Sequence, residues 1–201
     1  MRELVLATRN PHKGAELAAL LRDAGVRIRT LAEFPDAPEV EEDGETCQAN
    51  ATKKATAIAG YTGLPAVADD TGLMVDALNG RPGVHAARYA GADATYEDNW
   101  RKLLAELKGV PGERRRARFV TVAVIAWPST GKVEVVEGVL EGLIAEEPAG
   151  TQGFGYDPVF LVPEIGKTLA QLSADEKNRI SHRARAFLKV REILQTMNAE
   201  R

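Results

Sequence analysis

The chain has 201 residues, of which 44% are hydrophobic and 27% are charged, and this composition suits a soluble globular protein with one core or one core with two lobes. The net charge of −3 argues against a protein that coats nucleic acid, although a small anionic ligand needs only a local cluster of cations. Cys47 is the only cysteine, which excludes an intrachain disulfide and a multi-cysteine zinc site. No run approaches the roughly 18 apolar residues of a membrane span, so we expect a cytoplasmic protein with no membrane partner.

The first predicted elements are a short apolar strand over 3–7 and an amphipathic helix. Asn10 is a suitable N-cap for that helix, Pro11 occupies the favoured first position, and Gly25 is a suitable stop. The apolar residues at helical spacing, which predict its buried face, are Leu17, Leu20, Leu21 and Ala24.

The turn before this helix carries five hydrogen-bonding side chains, those of Thr8, Arg9, Asn10, His12 and Lys13. It is neither a Walker loop nor a G-x-G-x-x-G motif, because it lacks glycine. Free backbone N–H groups and the positive end of the helix dipole still favour an anion at this place. A capped helix with a solvated lysine is the simpler interpretation of this stretch alone, so both interpretations stay open at this point.

An acidic loop over 38–45 leads into an alanine-rich helix predicted over about 46–59. Asn50, Lys54 and Ile58 lie one turn apart and share a face of that helix. Most acids of the loop are expected to be solvated, although one of them would complete a metal site with Asp69 or Asp70. The acids are Glu39, Glu41, Glu42, Asp43 and Glu45.

The apolar run over 65–78 predicts a strand that Asp69, Asp70, Thr71 and Gly72 interrupt. Two adjacent carboxylates are costly to bury without partners, so exposed acids in a β-turn would explain the break. A Mg²⁺ site explains the same residues, because Mg²⁺ takes oxygen ligands and usually engages one or two carboxylates plus substrate phosphates. One carboxylate would then also serve as a general base towards water.

The second half of the chain predicts a further helix, three strands and a closing helix. The first of these helices follows a Thr95-x-x-Asp98 capping box, and a second box, Ser173-x-x-Glu176, precedes the closing helical region. The strands are predicted over 117–127, 132–144 and 159–162. The order of strands and helices indicates the α/β class, with a mixed rather than a purely parallel sheet.

A glycine-rich loop over 149–158 carries Phe154, Tyr156 and Asp157. Its glycines would let the backbone approach a ligand, and an aromatic ring there would stack on a base. A structural hairpin loop with a core aromatic residue is a common alternative, which the loop alone does not exclude.

A polar cluster of Lys177, Ser181, His182 and Arg183 lies at a break between two helical stretches. A lone histidine is more often a surface or capping residue than a catalyst. Here a hydroxyl and a guanidinium flank the histidine, which suits the recognition of polar oxygens. No Ser-His-Asp nucleophile is indicated, because no serine lies in a G-x-S-x-G elbow.

Together these features describe a nucleoside triphosphate site, and the sequence closely resembles the inosine triphosphate pyrophosphatase family. The matching motifs follow that family's order and spacing between residues 8 and 186. They are "TRNPHK" (8–13), "EDGETCQANATKKA" (42–55), "ADDTGLMVDAL" (68–78), "PGVHAARYAG" (82–91), "GFGYDPVF" (153–160) and "EKNRISHRARA" (176–186).

The resemblance implies hydrolysis of the non-standard purine nucleoside triphosphates ITP, dITP and XTP to the monophosphate and pyrophosphate. It implies Mg²⁺ as the cofactor and a homodimer as the assembly, and the net charge separately leads us to expect no nucleic acid as partner. It also implies an elongated mixed sheet flanked by helices, in a single two-lobed domain over 1–201 with a substrate cleft between the lobes.

The resemblance also implies roles for particular residues of the motifs. Asp70 is the expected general base and a metal ligand, Glu42 is the second metal ligand, and Asp69 supports that pair. The residues expected to hold the triphosphate are Thr8, Asn10, Lys13, Lys54 and Lys177, and the same turn adds Arg9, Pro11 and His12 as substrate-binding residues. The residues expected to line the nucleoside pocket are Thr71, Phe154, Gly155, Tyr156, Asp157, His182 and Arg183.

These roles predict attack of water on the α-phosphorus, with pyrophosphate as the leaving group. Phe154 would stack on the purine, and His182 and Arg183 would donate hydrogen bonds to a 6-oxo base. An adenine amino group in that place would leave the donors without an acceptor, at a cost of about 1–3 kcal/mol per group.

Three residues depart from the family pattern. Arg9 stands where glycine is common, Cys47 where an aromatic residue is common, and Gln171 where an acid is common. The first bears on the backbone conformation of the turn, and the second removes a hydrophobic contact of its helix.

Three other functions fit parts of the sequence. A pyrophosphatase of a related fold, acting on pyrimidine or thymidine triphosphates, is disfavoured by the Ser-His-Arg cluster. A nucleotide sensor without catalysis is disfavoured by the presence of both Asp70 and Glu42. A nucleic-acid-binding module is disfavoured by the net charge and by the lack of interleaved aromatic and basic residues.

Overall fold

The computed structural model describes residues 3–199, and the side chains of residues 3–196. In this part of the chain the strands are β1 (Glu3–Leu6), β2 (Arg27–Thr30), β3 (Ala66–Val75), β4 (Pro82–Gly83), β5 (Arg116–Ala126), β6 (Val133–Ile144), β7 (Phe160–Val162) and β8 (Lys167–Thr168). The α-helices are α1 (Pro11–Leu20), α2 (Cys47–Thr62), α3 (Tyr96–Glu106), α4 (Ala174–Ile180) and α5 (His182–Ala199).

The strands form one mixed sheet in the order β2-β1-β3-β5-β6-β7-β8, and β4 pairs with β3. Strand β1 runs parallel to β2 and β3, whereas β3 is antiparallel to β4, and β7 is antiparallel to β6 and β8. The α/β class with a mixed sheet is therefore confirmed. Because Leu6 lies opposite Val67 in the parallel pair, the turn after β1 and the acids at 69–70 lie at the same end of these strands.

The described residues divide into two compact units. The first unit contains the described residues of the ranges Met1–Asp70, Thr121–Gly138 and Arg183–Arg201. The second unit contains the ranges Thr71–Val120 and Val139–His182. Strands β3, β5 and β6 each contribute residues to both units. The single two-lobed domain stays a prediction.

Each unit has its own hydrophobic core. In the first unit, α1 and α5 pack on the strands through buried residues that include Leu4, Leu17, Ile125 and Phe187. In the second unit, α3 packs on the strands through residues that include Leu73, Leu103, Phe119 and Phe160.

Local signals predicted the helix starts well. Helix α1 begins at Pro11 after the N-cap Asn10, and α2 begins at Cys47 after the N-cap Thr46. The Thr95 and Ser173 capping boxes are both formed. In each, the N-cap hydroxyl accepts from the backbone N–H of the third helical residue, and the acid at that position accepts from the N-cap N–H. Of the predicted inner face of α1, Leu17, Leu21 and Ala24 are buried, and Leu20 is partly buried.

One expectation about strands was wrong, and one strand of the first unit was missed. Strand β3 runs from Ala66 to Val75 without a break, and both acids are buried within it. Cations and an amide from other elements contact Oδ2 of each carboxylate, so both acids can be buried in a continuous strand. Strand β2 was not predicted, because its sequence, Arg-Ile-Arg-Thr, contains a single apolar residue.

None of the helices in the described part of the chain is long and apolar enough to cross a membrane.

Candidate functional site

The turn between β1 and α1 is organised by Asn10, in the first unit. Its side-chain oxygen accepts from the backbone N–H groups of His12 (3.0 Å) and Lys13 (3.4 Å), and its own N–H donates to the Thr8 hydroxyl (3.2 Å). The cap fixes the start of α1 and places Lys13 in its first turn. The Lys13 ammonium lies 3.3 Å from a carboxylate oxygen of Asp69.

The other residues of this turn have different surroundings. The Arg9 guanidinium donates to the backbone carbonyl of Ala37 at 2.5 Å, so the turn is tied to the segment after β2. Pro11 and His12 are exposed at the start of α1. Contact of Arg9, Pro11 and His12 with substrate stays a prediction.

Asp69 is a buried carboxylate that is surrounded by cations of the first unit. Its Oδ2 accepts from Nε of Arg183 at 3.2 Å and is 3.3 Å from Nζ of Lys13. Lys54 donates to the backbone carbonyl of the same residue at 2.8 Å. Burial opposes the charge, but the fields of Lys13, Arg183 and Lys54 outweigh it and hold the pKa of the Asp69 carboxyl below its usual range.

Asp70, the next residue of β3, has the opposite electrostatic balance. Its Oδ2 accepts a hydrogen bond from the side-chain amide of Asn50 at 3.0 Å. Burial raises the pKa of the Asp70 carboxyl, and the nearby charge of Glu42 adds to this, while Lys54, Lys13 and the Asn50 amide only partly offset it. A carboxylate with a raised pKa holds a proton more readily, which suits a general base.

Lys54 links the acidic loop to β3. Its ammonium donates to Oε1 of Glu42 at 2.7 Å, besides its bond to the Asp69 carbonyl. Burial opposes the lysine charge, but Asp69, Glu42 and Asp70 together raise the pKa of Lys54, so it stays protonated. Of the face shared by Asn50, Lys54 and Ile58, the first two residues therefore contact the acids.

The oxygen donors of the first unit fit a Mg²⁺ ion. Glu42 and Asp70 both interact with Lys54, and both present carboxylate oxygens, which are the ligands that Mg²⁺ prefers. Within residues 3–199 no group of three or more His, Cys, Asp and Glu side chains is arranged to hold a metal alone. Mg²⁺ does not need such a group when substrate phosphates complete its shell.

Cys47 lies beside Asp70, where the family pattern has an aromatic residue. It is buried, and burial together with the charge and hydrogen bonding of Asp70 raises the pKa of the thiol to about 12. The side chain is therefore a protonated, unreactive neighbour of the carboxylate.

Arg183 occupies a different position from the one expected of a base-recognition residue. Its guanidinium is buried in the first unit, where Nε donates to Asp69 and Nη1 donates to Oε2 of Glu16 at 2.8 Å. Glu16 was not identified from the sequence. Its position three residues after Lys13 puts both side chains on the same face of α1, and this spacing could have indicated that Glu16 lies near the site. Contact of Arg183 with the nucleoside stays a prediction.

In the second unit, the glycine-rich loop is folded around the carboxylate of Asp157. Oδ2 of Asp157 accepts hydrogen bonds from Nζ of Lys177 at 2.6 Å and from the backbone N–H of Phe154 at 2.9 Å. A Cβ at Gly153 would overlap the same oxygen, and the positive φ of this residue also favours glycine, so only glycine fits there. The Lys177 ammonium also lies 4.8 Å from the centroid of the Phe154 ring, within the range of a cation–π interaction.

The aromatic residues of this unit have separate roles. The Tyr156 hydroxyl is buried and donates to the Ala86 carbonyl at 2.8 Å, which ties the glycine-rich loop to the 82–91 motif. The partly exposed Phe154 ring lies 5.8 Å from the ring of Tyr96, and the buried His182 ring stacks on Phe119 at 4.4 Å. No local sequence signal identified Tyr96 or Phe119.

Two further predicted pocket residues, Gly155 and Thr71, lie in the second unit. Gly155 has a positive φ of 65°, which favours glycine, and Thr71 follows Asp70 in β3 and begins the second unit.

Comparison with known proteins identifies relatives along nearly the whole chain. The model of the Ham1 family matches residues 4–193. A dITP/XTP pyrophosphatase of Geobacillus kaustophilus (strain HTA426) is 53% identical over 192 residues, which cover 96% of this chain and 94% of that protein. A dITP/XTP pyrophosphatase of Geobacter sulfurreducens is 50% identical over 194 residues, with coverage of 96% and 97%. The solved structure of a HAM1 protein from Coxiella burnetii is 43% identical, with a TM-score of 0.88 over 98% of this chain and 100% of that chain.

The opposite pKa shifts of the two acids predict opposite effects of removing each charge. Asp69→Asn should lower the free energy of unfolding at neutral pH by about 3 kcal/mol, because it leaves buried cations without their carboxylate. Asp70→Asn should raise it by about 1 kcal/mol, because it removes the cost of a buried charge. Urea denaturation of both variants measures the two changes.

The pH dependence gives the sign of each shift. The stability that Asp69 contributes is present above the ordinary aspartate pKa and is lost as the pH falls through its lowered folded value. The gain in Asp70→Asn should instead vanish as the pH falls through the raised folded value, where wild-type Asp70 becomes neutral. Equal losses in both variants would contradict this assignment.

The buried Lys177–Asp157 pair predicts a further loss of stability. Lys177→Met should lower the free energy of unfolding by about 3 kcal/mol, because the Asp157 carboxylate stays buried after its lysine is removed. Lys108→Met, at an exposed lysine of the same unit, should change it by at most about 0.5 kcal/mol. Similar values for the two variants in thermal and urea denaturation would show that the pair is not stabilising.

Proposed function

This chain belongs to the Ham1 family, and we propose that it hydrolyses the non-standard purine nucleoside triphosphates ITP, dITP and XTP to the nucleoside monophosphate and pyrophosphate. The observation that carries the proposal is the similarity, at 46–53% identity along nearly the whole chain, to proteins named dITP/XTP pyrophosphatase. The acids, the Asn50 amide and the lysines of the first unit supply groups suited to that reaction.

Asp70 is the proposed general base. Its carboxylate takes a proton from the attacking water as the water oxygen bonds to the α-phosphorus. The bond from the α-phosphorus to the oxygen that bridges the α- and β-phosphates breaks, and the electron pair leaves with pyrophosphate. The Asn50 amide donates to Asp70 without neutralising it, so the carboxylate keeps the negative charge that a base needs.

The proposed cofactor is Mg²⁺, held by Glu42 and Asp70 together with phosphate oxygens of the substrate. The ion, when bound, supplies positive charge that stabilises the phosphate oxygens as the bond breaks. Lys13 and Lys54 add fixed positive charge from the protein, because their ammonium groups are already held at Asp69 and Glu42. Thr8 and Asn10 contribute polar groups at the start of α1.

The proposed purine-binding group is the Phe154 ring, which is partly exposed and would stack on the base. Lys177 and Asp157 hold the loop that carries this ring. We assign the donation to a 6-oxo group to His182 before Arg183, because the guanidinium already donates to Asp69 and Glu16.

A homodimer and a cytoplasmic location are further parts of the proposal. The homodimer follows from the family resemblance, and the cytoplasmic location follows from the composition. Sedimentation equilibrium of the purified chain tests the first.

A substrate panel tests the proposed function. Initial rates with Mg²⁺ should be at least about 100-fold higher on ITP and XTP than on ATP, since a 6-amino group leaves a buried donor without its acceptor. In water labelled with heavy oxygen, the label should enter the monophosphate, because water attacks the α-phosphorus. Equal turnover of ITP and ATP, or preferred turnover of a pyrimidine triphosphate, would refute the proposed specificity.

The role of Asp70 has its own test in the same assay. Asp70→Asn should lower kcat by about 1,000-fold or more, while the folded protein is at least as stable as the wild type. Omission of Mg²⁺ should abolish turnover of the wild-type enzyme. Full activity of Asp70→Asn would show that another group is the base.

A further inference from the structure

We propose that Asn50 is a positioning residue that sets the direction of the Asp70 carboxylate and ties the acidic loop to it. The inference rests on the proposed function, since it assumes that Asp70 is the general base.

The geometry of the Asn50 amide leaves it a single orientation. The side chain is 1% exposed and lies in the first turn of α2. Its Oδ1 accepts from the backbone N–H of Gly44 at 2.8 Å, and its Nδ2 donates to Oδ2 of Asp70 at 3.0 Å. A flipped amide would place an N–H₂ group against the Gly44 N–H and an oxygen against the carboxylate, so both contacts would become repulsive.

Gly44 brings the acidic loop into contact with this amide. A Cβ at position 44 would lie 2.7 Å from Oδ1 of Asn50 and 2.9 Å from Cβ of Ala49. The N–H of residue 44 therefore reaches the amide only because the residue is glycine. The start of α2 is fixed at the same time, since the Thr46 hydroxyl accepts from the Ala49 N–H at 3.1 Å.

This chain of bonds joins two elements that carry reacting groups. Glu42 lies two residues before Gly44 in the acidic loop, and Asp70 lies in β3. The Asn50 amide is a neutral donor, so it directs the Asp70 carboxylate without cancelling the negative charge that a base needs.

A second buried asparagine of the chain serves as a matched control, which distinguishes a positioning role of Asn50 from a purely structural one. Asn99, in α3 of the second unit, is also 1% exposed. Its Oδ1 accepts from the Ala90 N–H at 2.7 Å, and its Nδ2 donates to the Ala87 carbonyl at 3.0 Å. The two asparagines therefore have the same burial and the same pattern of bonds, but only Asn50 donates to a proposed catalytic carboxylate.

The paired variants Asn50→Asp and Asn99→Asp test the inference. Each keeps the oxygen that accepts from the backbone and replaces the amide donor with an acceptor. Steady-state rates on ITP should show kcat of Asn50→Asp lowered by about 10–100-fold with KM little changed, because the orientation of the base is lost and binding is not. Asn99→Asp should keep kcat within about threefold of the wild type. Urea denaturation should show comparable losses of stability in both.

Gly44→Ala provides a second variant that does not alter the amide itself. Its methyl group would displace Asn50 from the loop side, so kcat should fall by about tenfold with the fold intact by circular dichroism. This variant decides the question if Asn50→Asp does not fold.

The outcomes separate this inference from the proposed function. If Asp70→Asn abolishes turnover while Asn50→Asp and Gly44→Ala keep wild-type kcat, the positioning role is refuted and Asp70 remains the base. If Asn50→Asp and Asn99→Asp lose kcat equally, the amide is only structural and the inference is also refuted. If Asp70→Asn keeps full activity, the assignment of the base fails and the role of Asn50 fails with it.

Discussion

The buried carboxylate of Asp69 is the constraint on which the first unit depends. Burial of an ion costs several kcal/mol unless counter-charges and hydrogen bonds compensate it. Here compensation comes from Lys13 of α1, Arg183 of α5 and, through the backbone carbonyl, Lys54 of α2. Three helices are therefore fixed to one residue of β3, and the two lysines are held in place before any ligand binds.

The contrast between Asp69 and Asp70 follows from the geometry of a strand. Successive side chains point to opposite faces, so adjacent residues meet different surroundings. Burial raises the pKa of both carboxyls, but at Asp69 three cations outweigh it and the pKa is lowered. At Asp70 burial and the charge of Glu42 outweigh the nearby lysines and the Asn50 amide, so the pKa stays raised. One acid is thus suited to be a permanent anchor, and its neighbour is suited to exchange a proton.

The sequence predicted what depends on neighbouring residues, and it failed where partners are distant. The caps at Asn10, Thr95 and Ser173 are local motifs and were predicted correctly. The break in β3 was wrongly predicted, because Arg183, which pairs with Asp69, is 114 residues away in the chain. The types of residue at the candidate site were identified from the motifs, but the partners of Lys177 and Arg183 required the structure.

Direct titration with inorganic pyrophosphate and Mg²⁺ tests most directly whether the cations at Asp69 form a phosphate-binding site. Lys53 is the matched control for Lys54, because it is adjacent on α2 but exposed, and it pairs with Asp43. By calorimetry, Lys13→Met and Lys54→Met should each weaken binding by about tenfold or more, and Lys53→Met by less than about twofold. Unchanged affinity in Lys13→Met and Lys54→Met, or equal weakening in Lys53→Met, would contradict the proposed site.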